Sequence, residues 1–323
     1  MPLAQQPIAS PFNAKSLASE VIEGVDLRGK TAIVTGGSSG LGVETARALL
    51  TAGASLILPS RSRAKAEKVA VELRAATGNQ AVEVADMDLG DFASVRAFAK
   101  SFASAGRPLH LLINNAGLMM STRQTVEGDI EAQFGCNHLG HMLLACLLTP
   151  ALIKGAPSRV VALSSGGHRF SPMMFDDINF DRRPYDMYAG YGQSKTANAL
   201  FAVEYNRRHE AQGVMAFAAH PGMIATELGR DVPKEITESA GAQIAMTAVP
   251  FKTTDGGAAT AVWCATSPLL NLGGVYCENC NVAEIIPGEF SKVRVGVNPW
   301  AIDADAAQQL WTLSEEMLGE RFA

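Results

Sequence analysis

The chain has 323 residues, 47% of them hydrophobic and 7% aromatic, with a formal net charge of -5 at pH 7. That length allows one large α/β domain or two ordinary ones, and the composition supports a sizeable buried core and argues against disorder. No lysine or arginine block favours nucleic acid, and five cysteines (Cys136, Cys146, Cys264, Cys277, Cys280) are an odd number in a large chain, unlike a secreted disulfide scaffold.

Residues 1–28 carry Pro2, Pro7 and Pro11 with little periodicity, and read as an extended arm or a short helical lead-in. They lack a charged start followed by an apolar run, so no signal peptide is expected. No stretch of the chain approaches the ~20 apolar residues of a bilayer span, so the expectation is a cytoplasmic protein without a membrane partner.

A strand over Lys30–Val34 runs into Thr35-Gly36-Gly37-Ser38-Ser39-Gly40-Leu41-Gly42, and a helix follows over Val43–Ala52, closed by Gly53. Strand, glycine turn and helix form the opening of a dinucleotide fold. The glycines admit a pyrophosphate close to the backbone, and the helix N-terminus offers it free N–H groups. The second strand, Ala54–Leu58, ends in Pro59-Ser60-Arg61-Ser62-Arg63. NAD-binding folds usually place Asp or Glu here for the ribose hydroxyls. Arg61 suits a 2′-phosphate instead, which favours NADP over NAD.

A helix over Ser62–Ala76 and a strand over Ala81–Ala85 lead to Asp86-Met87-Asp88-Leu89. Asp91 caps a helix whose Phe92, Val95, Phe98 and Phe102 form a core stripe. The fourth strand, His110–Ile113, meets Asn114-Asn115-Ala116-Gly117, small and amide residues that suit a backbone packed on a ligand. The long segment Glu127–Leu148 holds Asn137-His138-Leu139-Gly140-His141. Its two histidines stand three apart with no third ligand nearby, so no metal site is read there. The fifth strand, Arg159–Leu163, is followed by Ser164-Ser165-Gly166-Gly167-His168, a hydroxyl at the sheet edge where open α/β folds bind ligands.

Tyr191-Gly192-Gln193-Ser194-Lys195 lies in a run of helix formers, which puts Tyr191 and Lys195 on one face, one turn apart. A nearby ammonium favours the phenolate, so the pair reads as a tuned proton donor and acceptor. The insert at about 166–190, rich in methionine and aromatics, reads equally as an apolar wall of the site or as an excursion packed on the core. After a strand over Val214–Ala219 come His220-Pro221-Gly222-Met223-Ile224-Ala225-Thr226 and a stretch, about 223–250, read as a mobile flap. A helix over Thr253–Ala265, a last strand over Gly273–Tyr276 and a helical tail over Ala304–Leu318 follow. Cys277-Glu278-Asn279-Cys280 is read as structural thiols.

In this order, from about Leu27 to the end, the motifs resemble the short-chain dehydrogenase/reductase superfamily. The match rests on the Thr35 to Gly42 turn, Asp88, Asn114 to Gly117, Asn137, Ser165, Tyr191, Lys195 and Pro221-Gly222. Asn137 to His141, Ser194 to Asn198 and the long gap between Ser165 and Tyr191 resemble its retinol-dehydrogenase-like and WW-domain-oxidoreductase-like branch. The resemblance implies a single doubly wound Rossmann-type α/β domain over 29–323, a central parallel sheet flanked by helices. It also implies an NADP(H) site built from Thr35, Gly36, Ser38, Ser39, Gly40, Leu41, Gly42, Arg61, Asp88, Leu89, Asn115, Ala116, Gly117, Tyr191, Lys195, Pro221, Gly222, Ile224 and Thr226. In the implied catalytic set Ser165 holds the substrate oxygen and Tyr191 passes the proton. Lys195 binds the ribose and lowers the tyrosine pKa, and Asn137 holds a relay water. The implied activity is hydride transfer to or from the carbonyl or alcohol of a small, mostly apolar substrate, by a homodimer or homotetramer. Its alternatives are a non-catalytic dinucleotide-binding regulator and a reductase of C=C bonds.

Overall fold

Apolar runs alternate with helix formers along the chain, and in the computed structural model, which describes residues 5–224, 251–289 and 292–322, they build one main sheet with helices on both faces. The strands are β1 (Thr31–Val34), β2 (Ser55–Ser60), β3 (Val82–Asp86), β4 (Leu111–Asn114), β5 (Thr125–Val126), β6 (Ile130–Glu131), β7 (Ser158–Leu163), β8 (Val214–His220), β9 (Val275–Glu278) and β10 (Asn281–Val282). The main sheet runs β10-β9-β8-β7-β4-β1-β2-β3, parallel throughout except for β10 against β9; β5 and β6 pair separately. The strand order reverses between β1 and β4, and such a reversal opens a crevice at the strands' C-terminal ends.

The helices are α1 (Ala18–Val21), α2 (Gly40–Thr51), α3 (Arg63–Thr77), α4 (Phe92–Ser104), α5 (Ala132–Phe134), α6 (Gly140–Lys154), α7 (Met187–His209), α8 (Thr254–Thr266) and α9 (Ala304–Leu318). Successive strand residues point to opposite faces. Ile33, Leu112 and Val160 pack with α4, α6, α7 and α9, whereas Ala32, Ile113 and Val161 pack with α1, α2, α3 and α8. Both faces are covered, so the central strands β1 and β4 are buried along their length, as buried parallel strands are, whereas the edge strand β3 carries Glu83 and Asp86.

Several boundaries differ from expectation for physical reasons. Helix α2 begins at Gly40, so the glycine turn supplies its first turn. Helix α6 passes through Pro150, which is exposed near the helix end, and continues to Lys154. A π-helical turn, Gly135–Leu139, joins α5 to α6. This helical run, Ala132–Lys154, is long and apolar enough to cross a membrane by length and composition, which corrects the expectation that no stretch comes close. Its most apolar window has a mean hydropathy of 1.4 and is 78% buried inside the fold. An all-round apolar helix is what packing between a sheet and other helices requires.

The last strand extends to Glu278 and returns through Asn279 (φ 52°) and Cys280 (φ 56°), a tight two-residue hairpin. All five cysteines are free. The N-terminal arm is tied to this hairpin. Gln5 is buried, and its side chain accepts from Tyr276 N–H at 2.9 Å and donates to the carbonyls of Tyr276 (2.8 Å) and Ala283 (2.7 Å). Residues 171–186 form neither helix nor strand, yet Met173, Phe175 and Ile178 sit in the core with α7. Within the insert, Met173 and Ile178 thus pack on the core, and Phe170 lines a cavity with Ser165.

Candidate active site

The crevice is tied shut at its base by Thr35, the residue after β1. Its Oγ1 accepts the N–H groups of Asn115 (2.9 Å) and Ala116 (3.0 Å), and the Asn115 side chain donates to the Thr35 carbonyl at 2.8 Å. The turn beyond needs its glycines. Gly36 has φ +64°, and a Cβ on Gly42 would lie 2.2 Å from the Gly36 oxygen. Gly42→Ala is therefore expected to cost about 1–3 kcal/mol through forced backbone shifts and to weaken cofactor binding at the displaced turn. Thermal melting and a cofactor titration check this, and both unchanged would contradict it.

Above the turn lies a cleft of about 380 Å³. It gathers Thr35, Gly36, Ser38, Ser39, Gly40, Leu41, Arg61, Asp88, Leu89, Asn115, Ala116, Gly117, Asn137, Tyr191, Lys195 and Pro221. Gly42 packs behind it against Gly36, while Ile224 lies on Gly257 of α8. Ser165 and Gly222 line a second cavity of about 90 Å³ with Phe170, His220, Met223 and Arg294. Thr226 and most of the 223–250 segment lie outside the described residues.

The cleft fits a dinucleotide. Its floor is bare glycine backbone at the N-terminus of α2, which suits phosphates. At its far wall Arg61 is exposed and makes no ion pair or hydrogen bond among the described residues, whereas Arg63 is paired with Asp86 at 3.1 Å. Lys65, in the first turn of α3, also lines the cleft. No helical spacing marks it in the sequence, because Arg61 precedes the helix.

Helix α7 carries Tyr191 and Lys195. Tyr191 and Lys195 are both buried, and the Lys195 ammonium lies 5.5 Å from the tyrosine ring centre. Lys195 Nζ donates to the Leu163 carbonyl at 3.0 Å, which anchors it to the end of β7. Burial pushes Tyr191 up to about 12, opposed by a hydrogen bond with Ser165, and pulls Lys195 down to about 8. This corrects the expected direction for the tyrosine. Spacing reveals a lysine one turn away, but burial of the phenol is the larger effect.

Ser165 caps the 3₁₀ helix Gly166–Phe170, its Oγ accepting Gly167 N–H at 3.0 Å. A Cβ on Gly167 would meet the Tyr191 ring at 2.7 Å, and one on Gly192 would meet Ser171 N at 2.8 Å, so these glycines bring serine and tyrosine together. The other serine, Ser164, donates to the Lys195 carbonyl at 2.8 Å and braces α7.

Asn137 lies in the π-helical turn, a device frequent at functional sites. Gly140 lets that turn lie on the loop after β3, where a Cβ would be 2.3 Å from the Leu89 oxygen. The Asn137 side chain accepts from Leu118 N–H (2.8 Å) and donates to the Leu118 carbonyl (3.0 Å) and to Ser194 Oγ (3.0 Å). Its side chain thus braces the cleft wall against α7. Neither Leu118 nor Ser194 carries a sequence signal for this, since the bonds span 19 and 57 residues.

Residues 30–237 match the family model described as short chain dehydrogenase. The chain belongs to the short-chain dehydrogenase/reductase family. Its branch is the retinol-dehydrogenase-like one. Retinol dehydrogenase 12 of Mus musculus is 38% identical over 296 residues, covering 91% of this chain and 88% of that one. A "Probable oxidoreductase" of Streptomyces antibioticus is 41% identical over 300 residues, covering 91% and 99%. The crystal structure of an uncharacterised protein from Mycobacterium paratuberculosis aligns with a TM-score of 0.72 at 32% identity, covering 97% of this chain and all of that one. A gluconate 5-dehydrogenase from Burkholderia cenocepacia in complex with NADP and tartrate, 22% identical with a TM-score of 0.65 over 80% of this chain and 96% of that one, shares the fold. As a short-chain dehydrogenase/reductase the chain is an oxidoreductase.

Proposed function

We propose that the chain is an NADP(H)-dependent carbonyl reductase or alcohol dehydrogenase acting on a small, mostly apolar substrate. The observation that carries this is the placing of Tyr191 and Lys195 in one cleft with the glycine turn and Arg61, while Ser165 reaches Tyr191 from the adjoining cavity. The nicotinamide cofactor, when bound, supplies or accepts the hydride. The turn from Thr35 to Gly42 would hold its phosphates, and Arg61 its 2′-phosphate through charge-assisted bonds. Lys195 would hold the ribose. Ser165 Oγ would hold and polarise the substrate oxygen, Tyr191 Oη would give or take its proton, and Asn137 would brace the relay side of the cleft. Phe170 and Met223 in the second cavity support an apolar substrate. The retinol dehydrogenases among the relatives are named for an alcohol of that character.

Titrating NADPH and NADH separately by fluorescence tests the cofactor. NADPH is expected to bind more tightly, and Arg61→Ala to lose about 10–100-fold in NADPH affinity with little change for NADH, the worth of a charged hydrogen bond. Tighter binding of NADH to the unaltered chain would overturn the NADP reading.

A further inference from the structure

His168 lies three residues after Ser165, in the 3₁₀ helix, and is fully buried. Both of its ring nitrogens are committed. Nε2 accepts the backbone N–H of Asn298 at 3.0 Å, so the ring proton sits on Nδ1. Nδ1 lies 2.7 Å from the Ser165 carbonyl oxygen and donates to it. Burial pulls the imidazole down to about 4, so it is neutral at pH 7 and keeps this pattern.

The same residue is held from two other sides. Its carbonyl accepts Thr196 Oγ1 at 3.1 Å, next to Lys195 on α7, and Trp300 Nε1 at 3.2 Å. Arg169 beside it donates to the carbonyls of Ile286 (2.8 Å) and Val295 (2.6 Å). The turn that carries the serine is thereby joined to a segment 130 residues further along, and that segment contributes Arg294 to the cavity at Ser165.

We propose that His168 is a positioning residue, whose Nδ1–H fixes the backbone of Ser165 while its Nε2 docks the C-terminal segment that walls the substrate cavity. The inference rests on the hydride-transfer reading, which is what makes the placing of Ser165 Oγ matter. The Ser165 hydroxyl is itself oriented by the next turn of backbone, through Gly167 N–H. The Ser165 carbonyl also accepts the His168 backbone N–H at 3.0 Å, so losing the Nδ1–H removes the shorter of its two bonds and loosens that peptide, and small misplacements of a substrate-holding group cost large factors in rate.

Two conservative variants separate the two bonds. His168→Asn places an amide N–H near Nδ1 and keeps the donation to Ser165, but loses the acceptor for Asn298. His168→Gln reaches the Nε2 position with an oxygen and keeps Asn298, but loses the donor. His168→Asn is expected to keep kcat within about threefold and raise the substrate KM roughly tenfold. His168→Gln is expected to lower kcat by about 10–100-fold with KM within about threefold. The Kd for NADPH stays unchanged in both, because residue 168 does not line the cofactor cleft. Amide hydrogen exchange at Asn298 is expected to quicken in His168→Asn and to stay slow in His168→Gln. Equal effects of the two variants on kcat and KM, or lowered melting temperatures with both constants unmoved, overturn the proposal. An unaltered protein that binds NADPH but turns over no carbonyl or alcohol sinks the hydride-transfer reading instead. Exchange at Asn298 then decides for His168: equal exchange in the two variants overturns the coupling.

Discussion

Tyr191→Phe is expected to lower carbonyl reduction by roughly 10²–10⁴-fold, the usual weight of a positioned acid, with the fold and NADPH binding retained. The ring is buried against Gly167, and that contact is made by its carbon atoms, so phenylalanine keeps the packing. What is lost is the hydroxyl that meets Ser165. Because burial holds the phenol up at about 12, the proton donor for reduction is in place throughout the neutral range. Alcohol oxidation needs that proton removed first. Between pH 6 and 7, below the value near 8 at which Lys195 is half deprotonated, reduction is expected to be flat. Oxidation is expected to rise about tenfold per pH unit over the same window. Initial rates in both directions measure this, and an oxidation rate independent of pH would exclude Tyr191 as the titrating base.

Thr35→Val is the substitution expected to cost most in stability without changing shape. Thr35 is 1% exposed, and without its Oγ1 the Ala116 N–H loses its acceptor, whereas the Asn115 N–H keeps the Ile113 carbonyl at 2.9 Å. One orphaned donor costs about 1–3 kcal/mol, and the loss is expected in that range. The hydroxyl also lies 2.8 Å from His141 Nε2, and His141 Nδ1 meets the Asn137 carbonyl at 2.9 Å. Burial pulls His141 down to about 4, so this ring is neutral and can accept from Thr35 while donating to Asn137. The valine variant is expected to melt several degrees lower and to bind NADPH more weakly, and Thr35→Ser to restore both. A valine variant as stable as the unaltered chain would show that the crevice is held by packing alone.

What could be read beforehand was local. The strands around Ile33, Leu112 and Val160 announce themselves as apolar runs. The glycine turn does so by spacing, and α9 by its own periodicity, down to its bounds at Ala304 and Leu318. Legibility fails where a residue's partner is remote. His168 stands in a serine–glycine loop and gives no sign that Asn298 will reach it. The π-helical turn at Asn137 depends on how closely Gly140 approaches Leu89. The direction of the Tyr191 shift is set by burial, a property of the whole fold, whereas spacing offered only the neighbouring charge. Asn279 and Cys280 were read as a thiol motif because nothing nearby marks a return strand as short as β10.

Gln5 has a practical consequence. One amide side chain serves three backbone groups at the hairpin that ends the sheet, standing in for a further strand. An uncovered sheet edge is a template for pairing with other chains. Shortening the arm past residue 5 would bare the Tyr276 amide and leave the margin of β9 sticky. For recombinant work, a purification handle that crowds residues 5–8 is expected to promote self-association more than one at the other end, which light scattering of the two forms would show.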